Sequence, residues 1–359
     1  MFVFRADGNQ KIGMGHLMRC LSIADAARAA GHLCLFVLAD HTMCFLVEER
    51  GYETRVLDTD YRDMESEVER LTEIIRQLPF TESGQNWMLV DSYQMTGAYL
   101  EQCRLISENL KIAVLDDMFL MDYPADCVIN YNIYGEAYPF HRKDQLQLLG
   151  CQYVPLRQQF LTARKNANIQ KWSDSNKASV LVSTGGSDSL HIAEAIIEAC
   201  MQHDWEMRGI QIPCLHVVCG AMNQNKDALL ALEKKYGEHV KIHVAVSDMA
   251  GLMGKCDVAI TAAGSTIYEL AAMGIPFVVY YFVENQRRIA EHCGKNLGIC
   301  NAGDISIQPK QVLHSLLEET EQLLTEPDMR EQRKLQLQQQ VDGLGAERII
   351  KKLEGISAT

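Results

Sequence analysis

The sequence predicts an α/β protein made of two similar halves, each organised around a parallel sheet. Short apolar runs with the length of strands alternate with longer stretches that have the helical spacing i, i+3, i+4 and i+7. The alternation restarts after residues 162–177, a polar segment rich in Asn, Lys and Ser that is typical of an inter-domain linker. A length of 359 residues, of which 47% are hydrophobic and 23% charged, fits two globular domains.

The N-terminal half, expected to span residues 1–165, begins with a buried strand, a glycine-bearing loop and a helix that starts near His16. Strands are predicted at residues 2–6, 33–38, 53–57, 87–90, 111–115 and 126–129. Apolar strands separated by helices are typical of a parallel sheet. Four polar residues directly follow such strands: Asp7, Asp91, Asp116 and Asn130. Ligands of open α/β sheets bind at that edge.

The C-terminal half, expected to span residues 175–359, repeats this pattern. Its strands are predicted at residues 179–183, 215–219, 240–244, 258–260 and 277–280. Two of these strands run directly into loops of glycine, serine and threonine. We therefore expect two α/β sheets that face each other across a cleft.

Charge, cysteine usage and hydropathy argue against several classes of protein. The formal net charge is -13 and no run of Lys or Arg occurs, which disfavours nucleic-acid binding. The 12 Cys include no Cys-x-x-Cys pair, so we expect free thiols in a reducing compartment, and neither a metal nor another cofactor. The N-terminus lacks signal-peptide features and no apolar run approaches the roughly 18 residues of a bilayer span, so a cytoplasmic protein without membrane insertion is expected.

The first candidate site is the loop and helix start around His16. A helix N-terminus disfavours the imidazolium, so a neutral ring there can accept a proton as a general base. Arg19 lies one turn further on the same face, where it can bind an anionic group. Gly13 and Gly15 let a ligand approach the backbone. The alternative is a plain helix start in which Asp7 or a carbonyl oxygen satisfies the imidazole.

Two loops of the C-terminal half have the composition of anion-binding turns. Residues 184–188, Thr-Gly-Gly-Ser-Asp, and residues 261–266, Thr-Ala-Ala-Gly-Ser-Thr, each lie between a strand and a helix, where amides and hydroxyls can hold a diphosphate. The residues expected to do so are Gly186, Ser187, Gly264, Ser265 and Thr266. Glu269, one turn into the next helix, can bind the two hydroxyls of a ribose. The alternatives are a capped glycine turn and a first-turn acid that complements the helix dipole.

Further polar residues occupy loop positions expected to face the cleft: Asp91, Ser92, Tyr93, Asn285 and Gln286. The adjacent carboxylates Asp116 and Asp117 end another strand. Neighbouring side chains at a strand end point apart, so we interpret this pair as structural. The absence of a Gly-x-Ser-x-Gly elbow and of a Walker A loop argues against a serine hydrolase and a P-loop NTPase.

Segments spread in order over nearly the whole chain resemble the UDP-2,4-diacetamido-2,4,6-trideoxy-β-L-altropyranose hydrolases of pseudaminic acid synthesis and the related spore-coat polysaccharide proteins. The most specific segment combines Arg5-Ala6-Asp7 with residues 13–21, Gly-Met-Gly-His-Leu-Met-Arg-Cys-Leu. The other segments are residues 90–93, 115–117, 183–188, 264–270, 284–286 and 342–349. Residues 264–276 also resemble GT-B glycosyltransferases. Two positions depart from the pattern. Met14 stands where a small residue is common. Ser92 stands where these hydrolases often have His, and a Ser at this position also occurs in the spore-coat relatives.

The resemblance implies a GT-B fold of two Rossmann-like domains, with the last helix, about residues 329–354, packed back on the N-terminal domain. It implies hydrolysis of a sugar–phosphate bond with inversion, which releases UDP and a free diacetamido sugar without a metal. By this likeness His16 activates water. The sugar-binding residues would be Gly13, Gly15, Arg19, Tyr93 and Asn285, and the UDP-binding residues would be Gly186, Ser187, Gly264, Ser265, Thr266, Glu269 and Gln286.

Three alternative functions stay open at this point. A GT-B glycosyltransferase with a membrane acceptor would need a basic or apolar patch on the first domain, and the sequence shows neither. A UDP-GlcNAc 2-epimerase-type enzyme would need an acidic and histidine cluster in the second domain, for which only Glu291 and His292 are candidates. A non-catalytic nucleotide-sugar-binding protein would bind UDP without turnover. No oligomeric state is predicted.

Overall fold

The computed structural model describes residues 1–9, 12–80, 86–119, 121–137, 142, 144–165, 177–221 and 223–355. Its strands are β1 (Phe2–Ala6), β2 (Cys34–Leu38), β3 (Glu53–Val56), β4 (Asn86–Asp91), β5 (Leu110–Leu115), β6 (Cys127–Asn130), β7 (Leu146–Leu149), β8 (Ser179–Ser183), β9 (Cys214–Cys219), β10 (Val240–Val244), β11 (Val258–Ala262), β12 (Phe277–Tyr281) and β13 (Asn301–Asp304). Its α-helices are α1 (Gly15–Ala29), α2 (Cys44–Glu48), α3 (Val68–Arg76), α4 (Gly97–Arg104), α5 (Gln158–Lys165), α6 (Ile192–Gln202), α7 (Lys226–Tyr236), α8 (Met249–Met253), α9 (Thr266–Met273), α10 (Glu284–Leu297), α11 (Pro309–Thr325), α12 (Pro327–Gln340) and α13 (Gly345–Glu354). Short 3-10 helices lie at Met64–Glu67, Gly135–Ala137, Cys151–Tyr153, Trp205–Arg208 and Gly237–His239.

The chain divides into two compact units. The N-terminal unit consists of Met1–Arg157 together with Gly343–Thr359, and the C-terminal unit is Gln158–Asp342. Helix α5 therefore lies in the C-terminal unit, although residues up to 165 were expected in the first domain. Of the predicted linker, residues 166–176 lie outside the described residues.

The long helix expected at about residues 329–354 is divided into α12 and α13. The break contains Gly343, whose φ of 85° lies in the left-handed region that interrupts a helix. Helix α12 belongs to the C-terminal unit, whereas α13 belongs to the N-terminal unit and packs against α1.

The described strands of the N-terminal unit form a seven-stranded parallel sheet in the order β3-β2-β1-β4-β5-β6-β7. Every residue of β1 and β4 is buried. On one face, valines and methionine of the central strands pack with residues of α3 and α4. Elsewhere in the core the ring of Phe4 stacks on Phe36 with centroids 4.8 Å apart. Burial on both faces explains why these strands are continuous apolar runs.

The described strands of the C-terminal unit form a second parallel sheet in the order β10-β9-β8-β11-β12-β13. Its core combines valines and isoleucines of β8, β9, β11 and β12 with apolar residues of α6 and α11. Because β9, β8, β11 and β12 are neighbours, the loops that follow them meet at one edge of the sheet. None of the helices in the described part of the chain has the length and apolarity of a membrane span.

Candidate functional site

The carboxyl edge of the N-terminal sheet gathers the polar residues that follow β1, β4 and β5. Two of them support the backbone. Asp7 accepts hydrogen bonds from Arg5 Nη1 at 2.5 Å and from the amide of Ala39 at 2.8 Å. Asp116 accepts from the hydroxyl of Tyr123 at 2.7 Å and from two amides of the turn that follows it. The hydrogen bonds of both carboxylates therefore stabilise the fold.

His16 and Asp91 form a buried acid–base pair at the same edge. His16 lies in the first turn of α1, and its Nδ1 is 2.5 Å from Oδ1 of Asp91, the last residue of β4. The two residues are 6% and 1% exposed. A carboxylate at Nδ1 keeps the proton on that nitrogen and leaves the Nε2 lone pair to accept another. Within the described ranges, no hydrogen bond engages Nε2, and the ring is held by Asp91 and not by Asp7.

Arg19 is bound by several acceptors and fixes the geometry of this pair. Its Nε and Nη2 each lie 2.5 Å from an oxygen of Asp91, as a fork on the carboxylate. Its Nη1 donates to Asp117 at 3.0 Å and to the hydroxyl of Tyr131 at 2.9 Å. The side chain is 10% exposed. Through these contacts Arg19 fixes the position of Asp91 and thereby of His16.

Tyr93, which is 38% exposed, packs against the ring of His16. Its ring meets the imidazole edge to face with centroids 4.5 Å apart, and its hydroxyl donates to Asp117 Oδ2 at 3.0 Å. We call the group of His16, Arg19, Asp91, Tyr93, Asp117 and Tyr131 the His16 cluster. The sequence placed Asp91 at the ligand-binding edge without assigning it a chemical role, interpreted Asp117 as structural, and did not single out Tyr131.

Neighbouring charges and burial set the pKa values of Asp91 and Tyr93 in the His16 cluster. Burial raises the pKa of Asp91, but the charge of Arg19 and then that of His16 overcome this effect and hold the pKa well below its usual range. Burial and the nearby carboxylate of Asp117 raise the pKa of Tyr93. Near neutral pH, Asp91 is therefore an anion beside His16, and Tyr93 is a neutral hydroxyl.

The two glycines before His16 have different surroundings. Gly13 has a φ of 75° and exchanges two backbone hydrogen bonds with Asn9, so its conformation closes the loop. Gly15 is the exposed first residue of α1, and a Cβ built on it would meet nothing within 4 Å. Open space beside a helix N-terminus is compatible with a ligand there.

In the C-terminal unit, the loop after β8 presents exposed backbone. Gly186 and Ser187 are exposed, and a Cβ on Gly186 would meet nothing within 4 Å. Asp188 is buried and accepts from the amides of Ile192 and Ala193 at 2.9 and 3.1 Å, so it caps α6. The alternative of a capped turn thus applies to Asp188, while the preceding residues stay open.

The loop after β9 packs closely against the loop after β8, a contact that the sequence did not predict. A Cβ on Gly220, just after β9, would lie 2.3 Å from the carbonyl oxygen of Gly186. Asn225 Nδ2 also donates to the carbonyl of Asp188 at 2.9 Å. The loops after β8 and β9 therefore pack backbone against backbone.

The loop after β11 is similarly open. Helix α9 begins at Thr266, and no side-chain hydrogen bond from Ser265 caps it. Gly264 has no atom within 4 Å of a built Cβ, and Ser265 is exposed. Glu269 is half-buried in the first turn of α9. The amide of Gly264 donates to the carbonyl of Ala262 at 2.8 Å. The amides and hydroxyls of Ser265 and Thr266 are the groups at this helix start that can face an anion.

The loop after β12 leads into the first turn of α10. Asn285 is exposed there, whereas the Oε1 of Gln286 accepts a hydrogen bond from the amide of Phe282 at 3.3 Å. The helices α6, α9 and α10 thus all start at the carboxyl edge of this sheet. Their dipoles favour negative charge at that edge.

The chain is distantly similar to curated proteins. It is 25% identical over 289 residues to an uncharacterised protein of Methanocaldococcus jannaschii, covering 78% of this chain and 55% of that relative, so it spans about half of that protein. It is 26% identical over 293 residues to the spore coat polysaccharide biosynthesis protein SpsG of Bacillus subtilis, covering 80% and 78% of the two chains. It is 21% identical over 300 residues to the UDP-2,4-diacetamido-2,4,6-trideoxy-beta-L-altropyranose hydrolase of Campylobacter jejuni, covering 82% and 96%.

A family model and solved structures define the fold. The lipid-A-disaccharide synthetase (LpxB) family model matches residues 136–287. The structure of Acinetobacter baumannii MurG aligns with a TM-score of 0.64 at 13% identity, over 99% of both chains. Anabaena HepE, solved in complex with UDP and glucose, aligns with a TM-score of 0.56 at 14% identity, also over 99% of both. The chain has the GT-B fold predicted from the sequence.

Proposed function

We propose that this protein hydrolyses a UDP-sugar, releasing UDP and a free 2,4-diacetamido-2,4,6-trideoxy sugar with inversion at the anomeric carbon. The observation that carries the proposal is the buried contact of 2.5 Å between His16 Nδ1 and Asp91, which leaves Nε2 to accept a proton. The similarity to the Campylobacter hydrolase over 82% of the chain supports the same class of reaction, and the similarity to SpsG supports a role in polysaccharide biosynthesis.

In this proposal, the C-terminal unit binds UDP. The amides and hydroxyls of Gly186, Ser187, Ser265 and Thr266 hold the diphosphate beside the open Cα of Gly264, and Glu269 binds the ribose hydroxyls. Gln286 and Asn285 extend this surface at the start of α10, Gln286 toward UDP and Asn285 toward the sugar. Amides aimed at the diphosphate stabilise the charge that develops as UDP leaves.

The N-terminal unit performs the proton transfer. His16 Nε2 removes a proton from water while the water oxygen forms a bond to the anomeric carbon and the bond from that carbon to the UDP oxygen breaks. Asp91 stabilises the imidazolium that forms. Tyr93, Gly13 and Gly15 border the sugar. Because Arg19 is occupied by Asp91, Asp117 and Tyr131, it holds the base in place rather than the sugar.

A glycosyltransferase acting on a UDP-sugar is the second candidate, because the family model that matches residues 136–287 is that of lipid-A-disaccharide synthetase. In that reaction the same base removes the proton of an acceptor hydroxyl. A third candidate binds nucleotide sugars without turnover.

The experiment is incubation of the protein with a panel of UDP-sugars, with and without sugar acceptors, followed by mass spectrometry. Hydrolysis gives UDP and free sugar without an acceptor, and His16→Ala forms both roughly 10²–10⁴-fold more slowly although it still binds UDP. Formation of UDP only when an acceptor is present would support the transferase. UDP binding with no product from any substrate would support the binding protein.

A further inference from the structure

Two adjacent carboxylates at the end of β5 have different surroundings. Asp116 turns into the fold, where it accepts from Tyr123 and from the amides of Met118 and Phe119. Asp117 turns the other way into the His16 cluster, and its Oδ2 accepts from Arg19 Nη1 and from the Tyr93 hydroxyl, both at 3.0 Å. Side chains that point apart at a strand end thus give one structural carboxylate and one beside the candidate base.

The guanidinium of Arg19 both supports and opposes the function of His16. It holds Asp91 through two hydrogen bonds, but its Nη2 also lies 3.1 Å from His16 Nδ1. A fixed positive charge so close to the imidazole disfavours the imidazolium that a general base must form. Asp91 and Arg19 together carry no net charge, so this pair leaves no negative charge to balance an imidazolium.

Asp117 supplies the second negative charge. With Asp91, Arg19 and Asp117 ionised, the cluster carries one net negative charge around a neutral imidazole and none around an imidazolium. Without Asp117 the imidazolium would leave a net positive charge in a buried site, which is unfavourable. Oδ1 of Asp117 is buried and has no hydrogen-bond partner among the described residues, and Oδ2 accepts from Arg19 and Tyr93, which both belong to the His16 cluster.

Among the described residues, the other titratable groups that face His16 and Arg19 are neutral near pH 7. They are Tyr93 after β4, Tyr131 after β6 and Cys20 on α1. Burial is the main cause that raises the pKa of each of them. The charge balance of the site therefore rests on Asp91, Arg19 and Asp117.

We propose that Asp117 is a positioning residue that maintains the proton-accepting capacity of His16, by offsetting the charge of Arg19 and by holding Tyr93 against the imidazole ring. The inference deepens the proposed function, since it concerns the same base. It differs from the structural interpretation of the Asp116–Asp117 pair, because it assigns the two neighbours separate roles.

The test compares Asp117→Asn with the matched neighbour Asp116→Asn in the full chain. Labelled imidazole NMR follows the pH midpoint of His16, identified by its loss in His16→Gln. We expect the Asp117→Asn midpoint to fall by about 1 pH unit, and the Asp116→Asn midpoint to stay within about 0.3 of wild type. Equal midpoints in the two variants would contradict the proposal.

Asp117→Glu controls for folding, since it keeps the charge. Its midpoint should match wild type, and a fall like that of Asp117→Asn would also contradict the proposal. With a UDP-sugar, Asp117→Asn should lower kcat about tenfold with KM less affected, and Asp117→Glu should recover part of kcat. If wild type turns over no UDP-sugar, the proposed function fails, while the NMR midpoint still decides on Asp117.

Discussion

The carboxyl edges of the two sheets have the same topology and opposite chemistry. At the edge of the N-terminal sheet, charged side chains are buried and paired, as in the fork of Arg19 on Asp91. At the edge of the C-terminal sheet, the loops offer exposed glycine and serine, together with the starts of α6, α9 and α10. Parallel α/β sheets direct both kinds of residue to the same edge.

In the proposed function, this difference separates proton transfer from ligand binding. A general base needs fixed partners that set its basicity and orientation, so its unit carries buried ion pairs. A diphosphate carries its own charge, so its unit needs free amides and little side-chain charge. Substitutions in the first region should therefore change turnover, and substitutions in the second should change affinity.

The largest effect is expected in the N-terminal unit. His16→Ala removes the proton acceptor, and we expect turnover to fall roughly 10²–10⁴-fold. Affinity for UDP should stay at the wild-type value, because the proposed UDP contacts belong to the C-terminal unit. Steady-state kinetics and calorimetric titration with UDP measure the two quantities. Wild-type turnover in a folded His16→Ala protein would contradict the separation.

Two glycines of the C-terminal unit test whether open backbone serves a ligand. A Cβ on Gly186 or Gly264 meets nothing within 4 Å, so alanine there should leave the melting temperature unchanged. If UDP approaches this backbone, affinity should fall about tenfold. Gly220→Ala is the contrasting variant, since its Cβ would lie 2.3 Å from the Gly186 carbonyl oxygen and should lower stability as well. Unchanged UDP affinity in Gly186→Ala and Gly264→Ala would remove these loops from the site.

A smaller effect is expected for Glu269→Gln. Loss of the carboxylate weakens hydrogen bonds to two ribose hydroxyls, so affinity for UDP should fall about fivefold. Affinity for 2′-deoxy-UDP should change less, which makes the ratio of the two affinities the informative measurement. An equal loss for both nucleotides would point to the helix-dipole role of this acid instead.

The smallest expected effect is a difference in acid stability between the units. In the C-terminal unit, His216 Nδ1 lies 3.0 Å from His243 Nε2, and burial followed by the charge of His243 lowers the pKa of His216 from 6.5 to about 4. Between these values the unfolded chain binds a proton that the folded chain does not, so stability is lost as pH falls from 6.5 to 4. The lowered pKa of Asp91 preserves its contribution until the pH is below 3.8.

Hydrogen exchange followed between pH 7 and pH 4.5 separates the two units. We expect β9 and β10 to lose protection before β1 and β4, with a fall of a few degrees in the first melting transition. His216→Gln should reduce the loss of protection at low pH. If His216→Gln keeps the full acid sensitivity, other groups cause the loss.

Much of the fold was predictable, because apolar runs and their polar ends follow directly from burial in a parallel sheet. The starts of α1, α6 and α9 were signalled by glycine and hydroxyl residues. Four elements were missed: β7, α5, β13 and α11. Strands β7 and β13 have only four residues each, and two of the four in β13 are Asn and Asp, so their local pattern is weak.

The roles within the His16 cluster were less predictable. His16 stood out because it follows a glycine loop at a helix start. The partners Asp91, Asp117 and Tyr131 come from β4, β5 and β6, and only the strand order makes these strands neighbours. A sequence pattern shows that Asp116 and Asp117 point apart, but it does not show which of them meets Arg19.

The most direct test of the account is hydrolysis in ¹⁸O-labelled water. With a UDP-sugar that the protein turns over, we expect one labelled oxygen at the anomeric carbon of the free sugar, initially of inverted configuration by NMR, and none in UDP. Turnover by His16→Ala should be roughly 10²–10⁴-fold lower than that of wild type. Label in the phosphate of UDP, or retention of configuration, would contradict attack of a His16-activated water at the anomeric carbon.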